Sequence, residues 1–236
     1  MGKILYPANE RGFADHGWLQ AKHSFSFADY YDPNKIHFGQ LRVLNDDIVA
    51  PGMGFAQHPH ENMEIITLIL KGALEHKDSM GHVSVIKQGE VQIMSAGKGI
   101  THSEYNHSKT EPVNLLQIWV FPKIKNIEPR YDQKIFSIND RINKFQTIIS
   151  PEKEDNKMWI NQDAYFSLCH LKAGETIQYN LKNIKNAVYL FVMEGKAEVA
   201  KETLNNRDAI GVTGAETTTI KSHVDTDFLI IELPIN

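Results

Sequence analysis

His58-Pro59-His60 and His102-Ser103-Glu104 each place two coordinating side chains two residues apart. On a β-strand that spacing turns both side chains to one face, about 6.5–7 Å apart along the strand. If both faces point into one barrel, three imidazoles and one carboxylate converge. That is a coherent donor set for one divalent transition metal, with positions left open for water, dioxygen or substrate. Imidazole suits Fe, Mn, Ni, Co, Cu and Zn alike, so the donors leave the metal open. A single His-x-His pair on a strand is commonly incidental. The joint occurrence of the two motifs, each beside glycine turns and separated by the hairpin at Gly72, carries the reading.

Such donors need strands to hold them, and strands are what the rest of the chain predicts. Short β-branched and aromatic runs recur about every ten residues between Gly, Asn, Asp and Ser, the pattern of an all-β sandwich or barrel. A first series covers Phe38–Val43, Glu64–Leu70, Ala73–Lys77, Val83–Lys87, Val91–Met94 and Leu115–Phe121. A second covers Phe145–Ile149, Tyr165–Leu171, Thr176–Tyr179, Ala187–Met193, Lys196–Ala200, Ala209–Val212, Thr217–Ile220 and Phe228–Leu233. Between them Pro122 to Asp140 is polar and charged, which reads as a linker. The halves resemble each other as a diverged repeat: an apolar strand, a turn glycine (Gly72, Gly195), an alternating strand, a second glycine turn, and a final apolar strand closed by Pro122 or Pro234. Two β units follow.

Composition narrows the partners. The 236 residues carry a net charge of −4, with 42% hydrophobic and 23% charged residues, an ordinary soluble balance that argues against electrostatic nucleic-acid binding. One cysteine, Cys169, excludes a disulfide framework or multi-Cys zinc site and reads as a small buried hydrophobe. Apolar runs fall far short of the ~20 residues of a membrane helix, and no export signal is evident, so a cytoplasmic protein is expected. The remaining candidates read as structural. His16 and His23 pack or cap ahead of the barrel, and His76 and His82 flank an exposed turn at Asp78–Gly81. Asp46-Asp47 sit in a turn, while Phe55 and Ile118 pack the core or line an apolar pocket.

The residues around the two motifs resemble a known family. Gly52-x5-His58-x-His60-x3-Glu64-x7-Gly72 resembles the first cupin motif with one extra residue. Gly89-x5-Ser95-x-Gly97-x4-His102-x3-Asn106 resembles the second, with two extra residues before the histidine and Ser for the usual Pro. The run Met94-Ser95-Ala96-Gly97-Lys98-Gly99-Ile100-Thr101-His102-Ser103-Glu104 is similar to the pirin subgroup of two-cupin proteins. So are Arg11-Gly12-x-Ala14-Asp15-His16-Gly17-Trp18 and His23-Ser24-Phe25-Ser26-Phe27-Ala28-Asp29-Tyr30-Tyr31-Asp32-Pro33 upstream. The likeness is close over residues 10–122 and extends to the second half only in general cupin shape.

That resemblance implies an all-β bicupin: a metal-binding cupin over residues 1–125, a linker over 126–140 and a cupin without a metal site over 141–236. It implies one divalent ion, Fe(II) first, held by His58, His60, His102 and Glu104. Many cupins recruit the first-motif glutamate instead; here that is Glu64, of the same strand parity as His58 and His60, which we place behind the ligands. Matching Gly195 to Gly72 and Gly214 to Gly97 sets Leu181, Asn183, Thr219 and Lys221 opposite the four donors, and His170 and His223 lack the spacing to replace them. The second cupin is therefore expected to be structural and to cover one end of the first barrel. The implied activity is a quercetin 2,3-dioxygenase-like oxidoreductase that opens a flavonol or similar enol with O2, releasing carbon monoxide, with Glu104 as general base. A monomer is expected, because two barrels already pair within one chain. The alternative is a non-enzymatic, redox-sensitive metal protein acting through a protein partner.

Overall fold

Continuous apolar runs at the centres of the sheets and alternating apolar and polar residues elsewhere make strands of nearly every segment between turns. A computed structural model describes residues 1–235. The first half holds β1 (Gly2–Tyr6), β2 (Gly12–Asp15), β3 (Leu19–His23), β4 (Leu41–Val49), β5 (Gly54–His60), β6 (Glu64–Lys71), β7 (Ala73–Asp78), β8 (Val83–Lys87), β9 (Glu90–Ser95), β10 (Ile100–Asn106) and β11 (Val113–Val120). The second holds β12 (Arg130–Ile135), β13 (Gln146–Ser150), β14 (Met158–Trp159), β15 (Tyr165–Leu171), β16 (Thr176–Asn180), β17 (Asn186–Glu194), β18 (Ala197–Val199), β19 (Glu202–Leu204), β20 (Ala209–Thr213), β21 (Thr217–Ser222) and β22 (Thr226–Pro234). Among the described residues helix is confined to two short 3-10 turns, Ala8–Glu10 and Ile138–Arg141. No helix among the described residues is long and apolar enough to cross a membrane.

The strands form two barrels of one design. In the first, a seven-stranded sheet ordered β12-β9-β6-β11-β4-β3-β2 faces a four-stranded sheet ordered β5-β10-β7-β8. In the second, β1-β20-β17-β22-β15-β13-β14 faces β16-β21-β18-β19. This is the all-β, two-cupin architecture. The barrels exchange edges. β1, at the N-terminus, pairs with β20 of the second barrel, and β12, inside the stretch that reads as linker, pairs with β9 of the first. A polar, charged strand suits a sheet edge, which is why composition alone suggests a connection there.

The barrels pack through the outer faces of their large sheets, not by one capping an end of the other. One apolar cluster contains Leu44, Ile66, Leu68, Leu116 and Ile118 from the first and Phe166, Tyr189, Phe191, Leu229 and Ile231 from the second. Ile118 thus belongs to this interface and lines no pocket of the first barrel. Tyr6, at the end of the exchanged β1, and Phe38, from the segment before β4, pack on Tyr189 with ring centroids 5.3 and 5.6 Å away. Cys169 is fully buried among apolar side chains of the second barrel, and burial pushes its thiol up to about 12.

Candidate metal centre

Two neighbouring strands of the small sheet carry the donors. β5 is an edge strand, so Pro59 can sit within it without breaking a ladder on both sides. His102 of β10 lies directly opposite His58 of β5, and Ile100 opposite His60. The pairing shifts by a bulge between His102 and Glu104, so that Glu104 faces Phe55. β5 can approach β10 this closely because residue 54 is glycine: a Cβ there would collide with the Glu104 carbonyl. Gly97, at positive φ in the turn before β10, would likewise drive a Cβ into the Ile127 carbonyl.

Three of the predicted donors converge. Ring centroids lie 4.8 Å apart for His58 and His60, 4.4 Å for His58 and His102, and 4.8 Å for His60 and His102. Their coordinating nitrogens fall within 4.8 Å of one another. His58 donates its Nδ1–H to the Ala56 carbonyl at 2.7 Å, which leaves Nε2 as the lone pair. His102 is buried and its Nε2 has no hydrogen-bond partner among the described residues. Burial, with the neighbouring imidazoles His102 and His58, brings His60 down to about 4; burial with His58 and His76 brings His102 down to about 3. Both rings are therefore neutral near pH 7, the form a metal requires. An orphaned, buried imidazole nitrogen beside two further imidazoles fits a divalent ion.

Glu104 lies deeper. It is 1% exposed, and uncharged donors engage both of its oxygens. Oε1 accepts from Gln92 Nε2 at 2.7 Å and Thr67 Oγ1 at 3.3 Å, and Oε2 accepts from Gln117 Nε2 at 2.8 Å. Within 4.8 Å its carboxylate groups with His102 and His76, and His102 is the member common to both clusters.

Other sequence expectations change place. Glu64 points away from the donors. It accepts from Ser95 Oγ at 2.8 Å and from the Asn161 backbone N–H of the second barrel at 3.2 Å. Its parity with His58 fails because the chain crosses from the small sheet to the large one between β5 and β6, so Glu64 belongs to the interface. Burial raises it to about 7, against the opposing pull of Ser95, Asn161 and Arg130. Asp46 and Asp47 lie on a strand, not in a turn. Asp46 faces Asn114 and Arg207, while Asp47 is buried inside the barrel, its Oδ1 unpartnered among the described residues, and burial with nearby Asp46 and Glu104 raises it well above the ordinary aspartate value. His76 is fully buried and not at an exposed turn. His23 keeps its expected packing role: it is buried against Tyr30 and hydrogen-bonds Asn45 at 3.0 Å.

Aromatic rings wall the imidazoles. Trp119 stands edge-on to His60 at 5.0 Å with its indole N–H buried and unpartnered, and Phe55 stands 6.5 Å from His58. Tyr131, on β12, stacks on His76 at 4.7 Å and on His82 at 5.1 Å. Sequence reasoning missed Trp119, Tyr131, Thr67, Gln92 and Gln117. The alternation of polar Thr67, Gln92 and Gln117 among apolar neighbours on central strands was the available signal. A cavity of about 810 Å³ lies apart from these rings, between the barrels, with Leu68, Phe136, Arg141, Met193 and Asp227 in its wall.

The chain is similar to known proteins along its whole length. The Pirin family model matches residues 7–120, and the model described as a quercetinase C-terminal cupin domain matches 147–233. A quercetin 2,3-dioxygenase of Escherichia coli is 40% identical over 230 residues, 98% of each chain. A pirin-like protein of Caulobacter vibrioides is 43% identical over 227 residues, 96% of this chain and 97% of that one. The crystal structure of the Escherichia coli bacterial pirin YhhW in complex with nickel(II) superposes with a TM-score of 0.94 at 39% identity, covering all of both chains.

Proposed function

The chain belongs to the pirin family, and we propose that it is a metal-dependent dioxygenase of the quercetin 2,3-dioxygenase type, with His58, His60, His102 and Glu104 as its metal donors. The observation that carries this reading is the convergence of three imidazoles, one of them with a buried nitrogen that no other described residue satisfies. When bound, a divalent ion supplies Lewis acidity toward an enol hydroxyl and a redox-active partner for O2. Fe(II) and Ni(II) both suit the imidazole set.

The remaining steps fall to the protein's own groups. Glu104 accepts the proton of the substrate's enol hydroxyl, as its acceptor-only carboxylate and its nearness to His102 allow. Gln92, Gln117 and Thr67 hold that carboxylate in one orientation. Trp119 and Phe55 offer flat apolar surface to an aromatic substrate, and the free Trp119 N–H offers one donor for an oxygen on it. The relatives named quercetin 2,3-dioxygenase support a flavonol as the assay substrate.

The test is oxygen consumption and carbon monoxide release with quercetin. Protein reconstituted separately with Fe, Mn, Ni, Co and Cu turns over with at least one metal, and Glu104→Gln loses that turnover. Metal uptake with no turnover under any of the five ions overturns the dioxygenase reading and favours a regulator that acts through a protein partner.

A further inference from the structure

His102 Nδ1 lies 3.5 Å from His76 Nδ1, and both rings are buried. Two ring nitrogens that face each other share one hydrogen, so one donates and the other accepts. The second nitrogen of His76, Nε2, stands 3.2 Å from Oδ2 of Asp78, whose side chain is fully buried. Asp78 in turn accepts from the backbone N–H of Met80 at 2.9 Å and of His82 at 3.1 Å, and from His82 Nδ1 at 3.0 Å. A carboxylate ringed by donors accepts, so the His76 proton sits on Nε2 and its Nδ1 carries the lone pair. His102 must then donate through Nδ1. Its own lone pair is left on Nε2, the buried nitrogen that has no other partner.

We propose that Asp78 and His76 are positioning residues for the metal: through the relay Asp78–His76–His102 they set the tautomer of His102 and present its Nε2 lone pair to the ion. The inference rests on the metal-site reading above. Metal-bound histidines commonly donate their far N–H to a carboxylate; here a second imidazole is interposed between the two. Tyr131 lies at 29° to His76 and 26° to His82, so one ring from the exchanged strand holds both against rotation. His76 also stands within 4.8 Å of His102 and Glu104, which raises the competing role of His76 as a ligand. That role would have His102 bind through Nδ1 and strand its Nε2. The relay leaves no nitrogen without a task.

The experiment compares apo-protein, His58→Ala, His76→Phe, His76→Gln and Asp78→Ala by Ni(II) competition against a chelator, with the thermal midpoint of each apo form. Proton NMR of the Co(II)-loaded forms adds a spectroscopic readout of exchangeable ring N–H signals. His76→Phe is expected to weaken Ni(II) binding about 10–100-fold and to lose one hyperfine-shifted exchangeable N–H. His76→Gln, which keeps a carbonyl acceptor, recovers most of both. Where His76→Phe fails to fold, Asp78→Ala reads the same link, and its expected loss is about tenfold. Unchanged affinity in a folded His76→Phe or Asp78→Ala overturns the relay. Loss of stoichiometric metal in both His76 variants, with the apo fold intact, makes His76 a ligand and also overturns it. His58→Ala separates the two levels: if it binds Ni(II) as the parent does, the metal centre itself is misplaced, whereas its loss beside an unaffected His76→Phe condemns only the relay.

Discussion

The two barrels share a frame and differ in what fills it. Leu74 and Ala197 each follow a turn glycine by two residues, and they pair with Asn106 and Ser222. Counting back along β10 and β21 from those pairs makes Glu104 the counterpart of Ile220, His102 of Thr218, and His76 of Val199. His58, opposite His102, corresponds to Tyr179, opposite Thr218. Thr67 pairs with Gln92 on one side and Gln117 on the other; Leu190, at the same distance from its glycine, pairs with Ile210 and Ile230. The carboxylate and its three donors in one barrel are thus four aliphatic residues in the other, all of them fully buried. A buried acid is tolerable only with its donors, and donors are tolerable only with an acceptor. The four positions behave as a unit that is either entirely polar or entirely apolar.

The largest expected effect comes from removing a donor of the centre. His102→Ala should abolish retained metal, read by elemental analysis after desalting, whereas Thr218→Ala at the matching place should leave metal content unchanged. Next comes a transplant against the pattern. Ile220→Glu puts a carboxylate among Leu190, Ile210 and Ile230 with no donor, and should destabilise by about 3–5 kcal/mol in denaturant unfolding. Adding Leu190→Thr, Ile210→Gln and Ile230→Gln should recover much of that loss. A quadruple variant no more stable than Ile220→Glu alone would break the claim that the four positions act together.

Much of this contrast is legible in the sequence, because His-x-His and His-x-Glu need only a period of two to share a face. The central strands are also legible, since Glu64–Lys71, Asn186–Glu194 and Thr226–Pro234 are runs buried on both faces. The strands that bear the donors are less so. β5 carries Gly, Gln, Pro and two His, and β10 carries His, Ser, Glu and Asn, residues that strands usually lack, and pairing with neighbouring strands overrides that composition. His76 reads as part of a turn, although Leu74, His76 and Asp78 alternate inward along β7. The match of the second half to the first slips: the place of His102 lies five residues after Gly97 but its counterpart only four after Gly214, so Thr219 and Lys221 are exposed and Thr218 and Ile220 take the inward places. Tyr179, two residues before Leu181, stands where His58 does. Neither edge exchange has a local signal, because β1 and β12 are chosen by partners remote in the chain.

Glu64 extends the comparison from the interiors to the interface. Its counterpart, at the same distance before the turn glycine, is Ala187, so the first barrel again carries an acid where the second carries an apolar residue. Burial raises Glu64 from the ordinary glutamate value to about 7, so the folded protein holds this proton more tightly than the unfolded chain does. The stability it contributes is present below the unfolded value of about 4.5 and is lost as pH rises through about 7. Metal-free protein should therefore lose up to about 3 kcal/mol between pH 4.5 and 7.5 from this group. Glu64→Gln, neutral throughout, should flatten that part of the profile. A slope identical in parent and variant would place the pH dependence elsewhere, with Asp47 the next buried acid to replace.

The smallest effect tests one hydrogen bond of the polar unit. Gln117→Leu removes the 2.8 Å donor to Glu104 Oε2 and the 3.1 Å acceptor of Thr67, while adding apolar volume of similar size. The gain in apolar burial does not offset an acid oxygen left unsatisfied, so metal-free stability should fall by about 2 kcal/mol. The mirror change, Ile230→Gln, inserts an amide among Leu190, Ile210 and Ile220 and should cost a similar amount, because its donors find no acceptor. Opposite substitutions at matched positions should thus both destabilise, as they must if each barrel interior is consistent only with itself. Were Gln117→Leu neutral while Ile230→Gln destabilised, the Glu104 carboxylate would not depend on its donors, and the first barrel would tolerate what the second does not.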